Sequence, residues 1–407
     1  MKAKQVSLEE AIALCQQEVR PVATTQVKLE QAVGRICAAQ YCAPECIPAF
    51  DRSRVDGYAL HQRDVSSSDS QNLNLVMVGS IKAGEHTQAV VNPGETWRIM
   101  TGAILPAGCG AVIKQEEVDR DSRSVTINKK VYPGDHIEKK GSTITRGSVL
   151  ASPGQRLKAV DLEKLASAGV LGIQVYQRPG VYLIQTGDEL VMPGNNLPTG
   201  KIYNSNRSQF FALILSRGAR PLAGDGPTGD CIEDLADEIT KGVQKAPLVI
   251  ITGGTQQGDF DVVRAAMHKL KAHQLFAGID IRPGHTTSAW LLDQSLIFNL
   301  PGNPKGGYLL FHALIRPVLN LMSGLNPADE KWLLLPLNQT HIKRQAHRCL
   351  NRGVLTFTPD GQCQLVPPEV GLEQPGWEVI ADIPGLADQE DYFRSLVVGD
   401  ELTLISH

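Results

Sequence analysis

The chain has 407 residues and a formal net charge of −3 at pH 7, with 42% apolar and 20% charged residues. A single core stops growing near roughly 250–300 residues, so about two to four domains are expected, each with its own core. Lys and Arg are scattered, which argues against a nucleic-acid partner. Apolar runs such as "YLLFHALIRPVLNLM" are broken by His312 and Arg316 before the ~20 residues that a membrane crossing needs.

Eight cysteines form no CxxC pair, and Cys42 and Cys46 have no further ligands nearby at metal-like spacing. They read as thiols in a reducing compartment. Together with an N-terminus that lacks a secretory apolar region, this predicts a cytoplasmic protein.

In chain order, Ser7 and Glu10 read as a capping box that opens an amphipathic helix over 7–19. A short helical stretch and an extended, proline-bearing run follow. From about 46 to 143 the pattern becomes short alternating segments between Gly and Pro turns: "LNLVMVGSI", "ETWRIMTGA", "GAVIKQEEV" and "SVTINKKV". That is an all-β domain. "LKAVDLEKLASAGV" predicts a helix closed by Gly169, and "IQVYQ" a strand. From 180 to about 328 apolar strands alternate with amphipathic helices, which predicts a parallel sheet covered on both faces, a three-layer α/β domain. The remainder, 329–407, alternates again and reads as a small β domain.

Open parallel sheets bind ligands beyond the carboxyl ends of their strands. Three such ends carry unusual loops: "TGDEL" at 186–190, "TGGTQQGDFD" at 252–261 and "LPGNPKGG" at 300–307. Asp188, Glu189, Asp259 and Asp261 should gather at this rim, where carboxylates suit a divalent cation beside a phosphate. Gly253, Gly254 and Gly258 allow backbone N–H groups close to an anion. Ser205 and Asn206 are placed to cap a helix facing the same rim. Arg282, in "IDIRPGHTT", is a candidate phosphate clamp, with His285 beyond the Pro-Gly turn. In the β domain, "FDRSRVDGYAL" sets Asp56 in a turn and "RIMTGAILPAG" sets Thr101 at a strand end. These could reach a ligand only by facing another surface, such as that of a second subunit.

Taken together and in order, "SRVDGYAL", "RIMTGA", "QTGDEL", "KIYNSN", "TGG...GDFD", "RPG" and "LPGNP" resemble the molybdopterin molybdenumtransferase family, the MoeA proteins and the C-terminal domain of gephyrin. The resemblance spans most of 7–325 and weakens beyond. It implies a multidomain α/β and β fold: an elongated homodimer of four-domain subunits. Residues 1–45 and 144–179 would form a discontinuous linker domain, 46–143 an inserted β domain, 180–328 the molybdopterin-binding-like α/β domain and 329–407 a C-terminal β domain. The cleft would lie between the α/β domain of one subunit and the β domain of the other. The implied reaction takes adenylylated molybdopterin and molybdate with Mg²⁺, inserts the metal and releases AMP. Implied partners are the molybdopterin adenylyltransferase and a target molybdoenzyme.

By motif, Asp56, Thr101, Glu189 and Asp261 match family acids and a threonine, with Asp56, Glu189 and Asp261 as metal candidates. Arg282 and His285 would stand near molybdate. Gly253, Gly254, Gly258, Ser205, Asn206, Pro301, Asn303 and Pro304 would hold the cofactor-like substrate. The chain departs from the pattern at Arg54, at Thr143 where an acid is expected, at Asn204 in place of an acid, at Gln256 in place of serine and at His285 in place of lysine. These changes cluster where charge for cation, phosphate and oxyanion is set. They leave open a working transferase, a paralogue that binds or delivers the pterin, or an unrelated nucleotide or sugar-phosphate enzyme.

Overall fold

The computed structural model describes residues 5–66, 72–85, 88–254, 261–326, 332–340, 342, 345–357, 362–367, 376–384 and 392–397. Its centre is a six-stranded sheet in the order Arg220–Ala223, Gly180–Gln185, Leu248–Thr252, Ser295–Leu300, Ser288–Leu292, His273–Ala277. Strands Gly180–Gln185, Leu248–Thr252 and Ser295–Leu300 are buried at every position. Successive side chains point to opposite faces, so each strand feeds two cores. Val181, Leu183, Ile250 and Phe298 pack with Phe210, Ile214 and Leu310 on one face. Tyr182, Ile184, Val249 and Ile251 pack with Leu235, Ile239, Val263 and Met267 on the other.

The sheet is mixed, whereas the sequence reading expected it to be parallel. Its first four strands run parallel, and Ser288–Leu292 runs antiparallel to both its neighbours, Ser295–Leu300 and His273–Ala277. The cause is loop length. Only two residues separate Leu292 from Ser295, one of them Asp293 at φ +53°, and so short a link makes a hairpin but no crossover.

The expected β segments form a second six-stranded sheet, in the order Cys109–Lys114, Gly57–His61, Glu95–Ile99, Leu73–Ile81, Ser124–Ile127, Asp119–Arg120. Segments on either side of it pair with each other: Thr24–Lys28 with Gly172–Tyr176, and Tyr41–Cys42 with Val149–Ala151. They share a core of Leu29, Cys37, Leu150, Leu165 and Val175. A helix over Ala159–Ser167 is followed by Gly169 at φ +78°, as its sequence predicts. The last part is a five-stranded antiparallel sheet in the order Trp332–Pro336, Tyr392–Val397, Gly376–Ile383, Cys349–Phe357, Cys363–Val366.

The N-terminal helix spans Leu8–Glu18, and the Ser7 hydroxyl accepts from Glu10 N–H at 3.1 Å. His312 and Arg316 do not break the apolar run as solvent-facing charges; both are buried. Among the described residues no helix is long and apolar enough to cross a membrane. The eight cysteines are all unbridged.

Candidate functional site

Three strands of the α/β sheet end at one rim, and each leads toward a helix whose first turn is capped by a side chain. Asn204 accepts from Arg207 N–H (3.2 Å) at helix Ser205–Ser216, Asp261 from Arg264 N–H (3.0 Å) at helix Val262–Lys269, and Asn303 from Lys305 N–H (3.0 Å) at helix Pro304–Leu310. Helix N-termini carry partial positive charge and unpaired N–H groups, so their convergence favours an anionic ligand. The capping expected of Ser205 and Asn206 is thereby corrected. Asn204 is the cap, because it is the last residue with non-helical backbone, and Ser205 is already helical. Asn206 instead donates from Nδ2 to Gly302 O at 2.8 Å and ties the helix to the Pro301–Asn303 turn.

The glycine loop is tied into the same rim. Thr186 N–H donates to Thr252 O (3.0 Å) and Gly253 N–H to Leu300 O (3.2 Å), so the three strand ends are stitched together. Gly253 has φ +99°, and a Cβ there would run into Thr186 O. Gly254, at φ +61°, lies against Val263 and Thr186. Gln256, Gly258 and Asp259 lie outside the described residues. At the exposed end of the first loop, Glu189 folds back toward Gly187, and Lys201 Nζ donates to Asp188 O (2.5 Å). Asp230, which was not among the residues expected at the rim, joins this corner: its carboxylate accepts from Thr186 Oγ1 (3.1 Å), and its N–H donates to Asp188 Oδ1 (3.2 Å). The signal was the acid in "DGPTGD", one turn before the Ile232–Lys245 helix.

Asp261 is half-buried, and that burial pushes its carboxyl above the usual carboxylate range, against the capping N–H of Arg264 and the charges of Arg264 and His268. Among the described residues, Gln185 Nε2, Thr252 Oγ1 and Asn206 Oδ1 are buried at this end of the sheet without hydrogen-bond partners. Each such group costs roughly 1–3 kcal/mol unless water or a ligand meets it.

Asp56 and Thr101 form a second, separate pair. The backbone N–H and the hydroxyl of Thr101 both donate to Asp56 Oδ1 at 2.7 Å. These two bonds hold the exposed carboxyl below its usual range. Among the described residues neither side chain bonds to the α/β rim, so within one chain the pair is not joined to Glu189 or Asp261. Thr143 N–H donates to Ile47 O at 3.1 Å, a loop contact. Arg282 and His285 occupy the loop after strand His273–Ala277, with His285 Nδ1 3.3 Å from Gln5 Nε2. Among the described residues no group of three or more His, Cys, Asp or Glu side chains is arranged to hold a metal.

Residues 6–169 match the MoeA N-terminal region (domain I and II), and residues 182–321 match a probable molybdopterin binding domain. The chain belongs to the MoeA, or molybdopterin molybdenumtransferase, family. It is 33% identical over 301 residues to the molybdopterin molybdenumtransferase of Bacillus subtilis, covering 73% of this chain and 70% of that one. It is 32% identical over 351 residues to that of Haemophilus influenzae, covering 85% and 84%. The molybdopterin biosynthesis MoeA protein of Pyrococcus horikoshii superposes with a TM-score of 0.76 at 28% identity, covering 97% of this chain and 99% of that chain. A MoeA fold therefore underlies the rim. Neutral Asn204 still caps its helix, and His285 still sits on its loop.

Proposed function

We propose that this MoeA-family chain catalyses molybdenum insertion: it binds adenylylated molybdopterin and molybdate, cleaves the phosphoanhydride to release AMP, and leaves the metal on the dithiolene. The observation that carries this reading is the convergence of the three capped helix N-termini on the rim that also bears Glu189 and Asp261. Such a surface combines donors for phosphate with carboxylates for a cation.

A resident Mg²⁺ fits the donor set. One oxygen of Asp261 caps its helix, and the raised carboxyl pKa marks a negative charge that lacks solvation. Mg²⁺ is commonly bound by one or two carboxylates together with substrate phosphates. Asp261 and Glu189 would hold it, with Asp56 as the third candidate, and it would supply charge neutralisation at the anhydride. Gly253, Gly254 and Gly258, with Asn206, Pro301, Asn303 and Pro304, would line the phosphate and pterin side, and Ser205 would present the N–H groups of the first helical turn. Arg282 would meet the molybdate oxyanion, with His285 beside it. Thr101 keeps Asp56 ionised and aimed.

We infer a homodimer in which Asp56 and Thr101 complete the rim of the other subunit. Exposed apolar side chains on the segments that flank the inserted β sheet support this: Val33, Val160 and Leu171 are 57%, 59% and 84% exposed. The four-part division with a discontinuous linker is supported by the pairing of Thr24–Lys28 with Gly172–Tyr176. A cytoplasmic location, supply by a molybdopterin adenylyltransferase and delivery to a molybdoenzyme complete the reading.

The test is AMP release by the purified protein with adenylylated molybdopterin, Mg²⁺ and molybdate, with ligand binding read in the same samples. Molybdate-dependent release is expected. Tight binding without release would replace the enzyme with a carrier of the pterin.

A further inference from the structure

The loop bearing Arg282 and His285 is gripped on both edges by segments remote in sequence. On one edge Val6 forms a parallel bridge with Ile279: Val6 N–H donates to Gly278 O (3.2 Å), and Asp280 N–H donates to Val6 O (2.9 Å). On the other edge Arg282 bridges to Cys349: Arg282 N–H donates to Arg348 O (3.1 Å), and Leu350 N–H donates to Arg282 O (2.7 Å). The side chains follow the backbone. Gln5 reaches His285, and the His347 ring stands edge-on to it at 6.4 Å.

The two grips are tied to each other. Glu9, in the first turn of the N-terminal helix, accepts from Arg348 Nη1 (3.1 Å) and Nη2 (2.7 Å), and from Arg394 Nη2 (2.5 Å). Asp382, 3% exposed, accepts from Arg348 Nε (2.9 Å) and Nη2 (2.7 Å), and from Arg394 Nη2 (2.6 Å). Two carboxylates and two guanidiniums thus alternate in a neutral ring. Arg348 grips both acids through two nitrogens each, and such forked pairs fix direction as well as distance. Arg348 also holds Arg282 through its own carbonyl, so the ring sets the place of the loop.

We propose that the ring of Glu9, Arg348, Asp382 and Arg394 is a positioning device: it clamps the loop between the N-terminal segment and the C-terminal sheet, and so sets the affinity of Arg282 and His285 for the oxyanion. The proposal rests on the reading of that loop as the molybdate side of the site. None of the four residues touches substrate in this scheme; they act through the loop.

The experiment uses the full-length protein with Glu9→Gln and Asp382→Asn, reading amide hydrogen exchange over 278–287 and steady-state kinetics. Glu9→Gln keeps the size of the side chain and leaves the pairs of Asp382 in place, so it separates positioning from folding if Asp382→Asn fails to fold. Expected are faster exchange at Asp280 and Arg282, a molybdate KM raised about three- to ten-fold, and an unchanged KM for adenylylated molybdopterin. Glu233→Gln, which breaks the exposed pair with Lys269, should change neither readout. Should Glu9→Gln lower the melting temperature yet leave loop exchange and molybdate KM as in wild type, the ring is a structural weld and the proposal falls. If wild type itself releases no AMP, the functional reading fails by itself. Loop exchange then decides the positioning claim, with faster exchange in Glu9→Gln supporting it and unchanged exchange overturning it.

Discussion

At Asp261 one carboxylate both caps a helix and carries the charge assigned to the cation, and substitutions can separate these roles. Asp261→Asn keeps an oxygen for Arg264 N–H, whereas Asp261→Ala loses the cap, a change worth about 0.5–2 kcal/mol. Because the folded-state pKa is raised, the charged form is disfavoured in the fold, so this carboxyl lowers stability as pH rises through that folded value. Asp261→Asn is therefore expected to melt at or above wild type at neutral pH while molybdate-dependent AMP release falls about 100-fold or more. Thermal melts and the AMP assay check both halves, and full activity in Asp261→Asn would remove the role assigned here. Thr101→Val makes the converse test. It deletes one of the two donors to Asp56 and leaves the backbone N–H, so the Asp56 carboxyl should titrate closer to its ordinary value by NMR. Asp56, Glu189 and Asp261 stood out in the sequence because they sit in loop motifs at strand ends and turns, where carboxylates can gather at one rim. Asp230 was harder to assign, because its link to Thr186 depends on tertiary contact across 44 positions.

At the scale of elements, the glycine loop and the long C-terminal helix of the α/β sheet make different demands. Gly253 sits where its φ and the Thr186 carbonyl both exclude a side chain. Gly253→Ala is expected to cost about 1–3 kcal/mol and to lower activity with it, measured by denaturant melts. In the helix pair Pro304–Leu310 and Arg316–Met322, the intervening turn Phe311–Ile315 is π-helical. Pro317 has no N–H for the regular ladder, which accounts for the wider turn. His312 lies inside that turn, fully buried against Tyr308 and Phe311, and burial, with the charges of Arg316 and Arg217, pushes its pKa down to about 3. Between pH 6.5 and about 3 the unfolded chain takes up a proton that the folded chain refuses, so stability falls as pH drops through this window. His312→Leu should flatten that acid limb in melts taken from about pH 6.5 to 4. The strands and helices of the α/β core were legible from apolar runs and turn residues. The antiparallel direction of Ser288–Leu292 was not, because it depends on a two-residue link rather than on periodicity.

For the whole molecule, the order of motifs was legible because glycine and proline turns and strand ends keep their sequence signatures. The ring joining Glu9 to Arg348 was not, since a salt bridge across 339 positions leaves no local pattern. A site shared between subunits makes a countable prediction. Mixing equal amounts of the Asp56→Asn and Asp261→Asn proteins should yield half mixed dimers, each with one intact site, and so restore about a quarter of wild-type AMP release. No recovery after confirmed subunit exchange would place both residues in one subunit's site. Leu171→Glu should shift the protein toward monomer in light scattering, with activity lost in step. The three caps at the rim have a further consequence. Asn204, Asp261 and Asn303 each use one side-chain oxygen to begin a helix, and Asp and Asn serve that geometry about equally well. The electrostatic potential over the rim can therefore be stepped by whole charges at positions 204, 261 and 303 while the backbone beneath stays put, so a chain of this design can retune which anion it prefers without having to refold.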